Sequence, residues 1–248
     1  MMQITDTVKH LIIVNVLFFI GASINILPLI NETFPLYYFE NAQFKWYQPL
    51  THMFMHGGIT HIAFNMFALY SFGSNLEYIW GNKKFIFFYF SCGLGAALIH
   101  SLSNYYFFHN ELTTLLSNGF SKSDVFNLLN EGKIDTRWTE ILGKSGLDNM
   151  ANAFAVPAVG ASGAIYGLLV AFGFMFPDAQ LAMMFIPVPV KAKYFIPIII
   201  GLDLFSGVTG FAIFGSGIAH FAHVGGAIFG LIIMLFWKKN SFNNNRWN

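Results

Sequence analysis

Long stretches of this chain carry no Asp, Glu, Lys or Arg, and the polar residues between them divide it into helix-sized runs. Residues 11–30, 46–76, 85–110, 149–177 and 217–237 are free of these four types, and 194–211 contains a single acid, Asp203. About 20 consecutive apolar residues cross a bilayer's hydrocarbon core as a helix, so each run predicts a membrane span. Backbone groups in lipid must be bonded internally, which leaves helices or closed barrels, and these runs are too long for barrel strands. The expected spans are about 11–30, 49–77, 85–103, 156–176, 194–211 and 217–237, the fourth stopped by Phe176-Pro177. The fold class expected is all-α: one membrane domain over 1–240 built as a six-helix bundle, followed by a polar tail at 241–248.

Composition supports the same reading. Charged residues make up 10% of the chain and AVILMFWYC residues 55%, with 30 Phe, whereas soluble domains carry about 25% charge. A water-soluble globule is therefore excluded. With 13 basic and 12 acidic residues there is no basic excess, so no nucleic-acid partner is expected. A single cysteine, Cys92, precludes an intrachain disulfide. Lys9, the apolar run after it and Gly21-Ala22-Ser23 imitate a signal peptide, but the apolar character continues to Leu27, which suits a retained helix.

The placement of charge adds topology. With a cytoplasmic N-terminus, Lys9, Lys83, Lys84, Lys191, Lys193, Lys238, Lys239 and Arg246 all fall on the inner side, so the positive-inside rule predicts both termini in the cytoplasm; a bacterial cell membrane is the location expected. Ten of the 25 charges sit in one outer segment, 104–148. There Ser121 or Ser123 is placed to cap a short amphipathic helix presenting Val125, Phe126, Leu128 and Leu129, and Glu111 to Leu116 reads as another.

Polar residues inside spans are costly and mark function. The second span carries His52, His56, His61 and Asn65, with His61 and Asn65 four apart and so on one helix face. The fourth opens Gly160-Ala161-Ser162-Gly163, with Tyr166 one turn on, and the last begins His220-Phe221-Ala222-His223. A hydroxyl, an imidazole and a His/Asn donor pair on three helices are the parts of acyl transfer: nucleophile, base and oxyanion donors. Gly163 with Gly167, and Gly226 with Gly230, form two small-residue faces that let helices approach closely. Such an approach is needed to bring Ser162 within about 3 Å of His223.

These motifs, in this order on spans two, four and six, resemble the rhomboid intramembrane serine proteases over residues 44–240. The resemblance implies that Ser162 is the nucleophile and His223 the base of a dyad without an acid. It also implies that His61 and Asn65 line the oxyanion hole with the Ser162 backbone N–H, and that Tyr166 supports His223. It implies membrane-embedded protein substrates, cut near the outer face at small residues, and no cofactor. Two features depart from the family pattern. Trp46-Tyr47-Gln48 has Tyr where Trp is expected, and the segment 104–148 is longer than usual and is expected to pack over the active-site mouth.

Other residues are read more plainly. His220, His52 and His56 are expected to be structural or water-contacting, Asp203 a hydrogen-bonded structural acid in preference to a third triad member orienting His223, and Glu77 a partner for Lys83 or Lys84. The alternative from another class is a His-based metal-binding membrane protein or transporter, resting on His52-x-x-x-His56 and His220-x-x-His223. Met53 and Phe221 stand where a zincin helix needs Glu, so no metal is expected.

Overall fold

The computed structural model describes residues 3–24, 29–183, 186–211 and 219–241, which are mostly helical. In chain order the helices are α1 (Asp6–Ser23), α2 (Ile30–Thr33), α3 (Gln48–Thr51) leading into a 3-10 turn (His52–Phe54), and α4 (Ile59–Ala68). A π-helical turn (Leu69–Gly73) joins α4 to α5 (Ser74–Trp80), followed by α6 (Asn82–Ser117), α7 (Lys122–Asn130) and α8 (Arg137–Ala155). The chain then forms α9 (Ser162–Met175), α10 (Ala192–Thr209) and α11 (His220–Ser241). Four of these, α1, α6, α10 and α11, are long and apolar enough to cross a bilayer, and α9 is an apolar helix of 14 residues. α4, the π turn and α5 make one further continuous helical stretch. This stretch and α9 correspond to the second and fourth spans expected from the hydropathy pattern.

α9 lies at the centre. Gly163, Ala164, Ile165, Gly167, Leu168, Leu169, Ala171 and Phe172 are all buried, whereas α1 buries only Val8, Leu11 and Asn15. The small residues explain how α9 fits. A Cβ added at Gly226 of α11 would land on the Gly163 carbonyl oxygen, and one at Gly230 would come within 2.8 Å of Gly167 Cα. On its other side Gly163 faces Ala96 of α6, and Gly167 faces Cys92. Three helices thus meet with backbones nearly touching, the packing that small residues permit in membranes, where the hydrophobic effect does little to drive helices together. Outward, large apolar side chains such as Leu17, Phe67, Phe87, Leu98, Ile198, Phe205, Ile232 and Phe236 are exposed, as a lipid-facing surface requires.

Several expected boundaries move, each for a local reason. The second span, expected as one helix over 49–77, breaks at Met55 to Gly58. Gly57-Gly58 interrupts the helix, with Gly58 fully extended before α4 begins. Because of that break, His52 in the 3-10 turn and His56 beyond it are not on a common helical face. The fourth helix starts at Ser162 rather than 156, since Pro157 and the left-handed Gly160 (φ 126) hold 156–161 out of helix. The third span runs on to Ser117, absorbing Glu111–Leu116, because no Gly or Pro stops it before Asn118-Gly119. α1 occupies Asp6–Ser23 rather than 11–30; residues 25–28 of the expected first span, and 242–248 of the expected tail, lie outside the described residues.

Glu77 does not pair with Lys83 or Lys84. It is buried and accepts hydrogen bonds from Thr5 Oγ1 (2.5 Å), Thr7 N (3.0 Å) and Val8 N (2.9 Å), satisfying free donors at the N-terminus of α1. The connection between α9 and α10 contains a small antiparallel pair, β1 (Gln180–Met183) and β2 (Ile186–Lys191). Pro187 and Pro189 suit only an edge strand, and this pair is all edge.

The outer insertion is built on the far end of α6. Ser121 caps α7, its Oγ accepting from Asp124 N at 3.1 Å. Phe108, Leu112, Leu115, Val125, Leu129, Trp138, Met150 and Phe154 form a compact apolar core with Tyr38 from the first loop. Tyr38 and His109 both donate to Glu40, at 2.6 and 2.7 Å, with Lys122 at 3.8 Å. These contacts clamp α7 and α8 onto residues 36–44. The chain leaving α8 then pairs Ala158 with Leu36 through two 2.9 Å backbone hydrogen bonds before reaching Ser162.

Candidate active site

The site lies between α9, α10 and α11, with α4 contributing from the side. Ser162 is the first residue of α9, so the first N–H groups of this helix lack intrahelical acceptors and carry the positive end of its dipole. His223 is in the first turn of α11. The Gly226–Gly163 contact, one turn further along α11, fixes the separation of the two helices at this level. As a result His223 Nε2 lies 2.8 Å from Ser162 Oγ. The Tyr166 ring stacks on the imidazole with centroids 4.2 Å apart and planes 10° from parallel, which restrains it in the plane that aims Nε2 at the hydroxyl.

His61 is oriented from behind. Its Nδ1 accepts from Gly57 N at 3.3 Å, so the proton of the neutral ring resides on Nε2, which is left as a donor. That nitrogen faces a notch at Gly160. A Cβ placed on Gly160 would sit 2.9 Å from His61 Nε2 and 3.4 Å from Ser162 Oγ. The strap bearing Gly160 is held by a 2.9 Å bond from Gly160 N to the His52 carbonyl. Asn65 is buried one turn after His61. One amide hydrogen is used on the His61 carbonyl (3.0 Å), and the amide has a second to offer.

The structure therefore brings together Ser162, His223 and Tyr166, places His61 beside Ser162, and uses Gly163, Gly167, Gly226 and Gly230 as the packing surface that sets their spacing. Asp203 of α10, expected from the sequence to be hydrogen-bonded, receives His223 Nδ1 at 3.2 Å and His220 Nδ1 at 2.6 Å on the same oxygen, while Tyr166 Oη donates to its other oxygen. It is 1% exposed. The available signal was its isolation as the lone acid of the 194–211 run. Depth alone suggested a mid-membrane position and did not reveal its partners. His56 stands edge-on to His61 at 5.2 Å, and His52 Nδ1 donates to the Gln48 carbonyl. Among the described residues no group of three or more His, Cys, Asp or Glu is placed to hold a metal ion.

A helical membrane bundle that joins a serine hydroxyl to an imidazole between two of its helices defines a narrow class of protein. The Rhomboid domain profile matches residues 43–128 and 138–240, most of the chain. The chain belongs to the rhomboid family. It is 28% identical to the human mitochondrial presenilin-associated rhomboid-like protein over 241 residues, covering 94% of this chain and 50% of that protein. It is 28% identical to rhomboid protease AarA of Providencia stuartii over 193 residues, covering 77% and 55% respectively. A shorter match to rhomboid protease GluP of Bacillus subtilis is 37% identical over 57 residues, 23% of this chain and 11% of that protein. The chain thus spans about half the length of the first two of these relatives.

Proposed function

We propose that this protein is an intramembrane serine endopeptidase that cleaves membrane-embedded segments of other proteins by acyl transfer. The observation that carries the proposal is the 2.8 Å contact between Ser162 Oγ and His223 Nε2, made across two helices by residues remote in sequence. His223 Nε2 takes the hydroxyl proton as Ser162 Oγ attacks the scissile carbonyl. The developing oxyanion is stabilised by His61 Nε2–H, the free Asn65 amide hydrogen and the Ser162 backbone N–H at the positive end of α9. Collapse of the tetrahedral intermediate breaks the C–N bond, His223 returns the proton to the leaving amine, and an ester on Ser162 remains. Water activated by His223 then hydrolyses it. No cofactor enters the scheme.

The reading extends to six membrane-crossing elements with both termini on the cytoplasmic side and the site opening outward, supported by the distribution of Lys and Arg. A bacterial cell membrane is the location proposed; the relatives include both bacterial and mitochondrial proteins.

The test is incubation of the purified protein with a single-pass model substrate. Cleavage that persists with a chelator and falls by at least about 1,000-fold in Ser162→Ala is the expected result. Cleavage abolished by chelator and indifferent to Ser162→Ala would replace the proposal with a metal-dependent activity.

A further inference from the structure

Outside the Ser162–His223 contact, the most unusual grouping in the molecule is the carboxylate buried behind it. Three donors converge on Asp203: Tyr166 Oη on one oxygen, His220 Nδ1 (2.6 Å) and His223 Nδ1 (3.2 Å) on the other. They come from α9 and α11, whereas Asp203 is on α10, so the arrangement depends on three helices. An ionised carboxylate accepts only, and a phenol offers a single hydrogen. The simplest assignment that satisfies every contact has Tyr166 O–H, His220 Nδ1–H and His223 Nδ1–H all donating to Asp203. Placing the His223 proton on Nδ1 leaves Nε2 unprotonated, the state in which it can accept the Ser162 proton.

Building on the proteolytic reading above, we infer that Asp203 is a positioning residue for His223. It fixes the imidazole in its Nδ1–H tautomer, and Tyr166 and His220 hold the carboxylate in place. The site thereby works as a Ser162–His223–Asp203 relay of orientation, not as an isolated pair. No proton moves to Asp203 in the cycle: the proton taken from Ser162 rests on His223 Nε2 and passes to the leaving amine. Asp203 remains an anion beside the transient imidazolium, which its charge favours. The other titratable groups around His223 are the imidazoles of His61 on α4 and His100 on α6. Asp203 is therefore the one acid facing the base among the described residues.

Two measurements test this. In the unmutated protein labelled with 15N-histidine, the His223 resonances, assigned by their loss in His223→Gln, are expected to report the Nδ1–H tautomer. An Nε2–H tautomer would overturn the inference with no substitution at Asp203 involved. In Asp203→Asn, the side-chain amide can donate to His223 Nδ1 and stabilise the unproductive tautomer. The expected result is a kcat lower by about 100-fold with KM within about threefold of wild type. Wild-type kcat in a folded Asp203→Asn protein would overturn the inference while leaving the Ser162-dependent activity standing. Activity that survives Ser162→Ala would instead remove the underlying reading. A loss confined to thermal stability, with kcat preserved at low temperature, would mark Asp203 as structural and also overturn the inference.

Discussion

Gly160 shows how a single backbone position can decide whether the site is open. Its φ of 126° lies where L-residues with a Cβ are rarely found, and the space that a Cβ would fill lies between His61 Nε2 and Ser162 Oγ. In the mechanism proposed above, that space is where the oxyanion sits. In Gly160→Ala the new methyl both strains the strap and occupies this position. Cleavage is expected to drop by at least about 100-fold, a loss of the size seen when one oxyanion donor is removed. Comparing the melting temperatures and turnover of the two proteins separates the effects: activity should fall far more than stability, because the methyl enters the site and not the packed core. Cleavage near the wild-type rate would mean that the substrate carbonyl lies elsewhere.

At the level of elements, two contacts hold the functional parts in place. The first is the crossing of α9 and α11, where Gly226 has no room for a side chain above the Gly163 carbonyl. Gly226→Val is expected to push the helices apart, costing about 1–3 kcal/mol as overpacking and lengthening the Ser162–His223 contact. Denaturation in mild detergent and substrate cleavage should both show the loss, and a fully active variant would argue that the crossing is more compliant than drawn here. The second contact is the clamp between the outer insertion and the first loop. Burial alone would raise the Glu40 carboxyl, but the hydrogen bonds from Tyr38 and His109, with Lys122 nearby, outweigh it and hold the group below its ordinary 4.5. The folded state therefore binds this proton less readily than the unfolded one. The stabilisation is complete above pH 4.5 and is lost as pH falls through the lowered value. Hydrogen-exchange protection factors for α7 should decrease on acidification below that point, and Glu40→Gln should show reduced protection already at neutral pH. Protection in α7 that is the same at pH 6 and pH 3 would show that the apolar core around Trp138 holds the insertion alone.

Over the whole molecule, the absence of charge was the legible feature. It located the hydrophobic elements, because a residue such as Leu17 or Phe236 facing lipid and one such as Leu168 facing protein are equally apolar, and both belong to charge-free runs. For the same reason it could not mark where helices start or end inside a run. The break at Gly57-Gly58 and the extended strap before Ser162 depend on backbone conformation, and α6 continues to Ser117, beyond the charge-free run, because no Gly or Pro stops it before Asn118-Gly119. Ser162, His223, His61 and Asn65 stand out in the sequence as polar residues inside those runs, and their four-residue spacing puts His61 and Asn65 on one helix face. The environment of Asp203 could not be read, because its three donors come from helices whose relative rotation no local pattern encodes.

The brevity of α9 has a geometric consequence. Fourteen residues rise about 21 Å, against a hydrocarbon core of about 30 Å. Just past the C-terminal end of α9, Asp178 is exposed and pairs with Lys191 at 3.1 Å and Lys193 at 2.9 Å, marking a water boundary. Measured from that boundary in the orientation proposed above, Ser162 stands about 9 Å beneath the opposite surface. On the proteolytic reading proposed above, the helix would act as a depth gauge, and the bond that reaches the hydroxyl would be chosen partly by how far along a substrate it lies from the membrane edge. On that reading, a bilayer of different thickness is expected to move the cut along the substrate without altering a single atom of the protein.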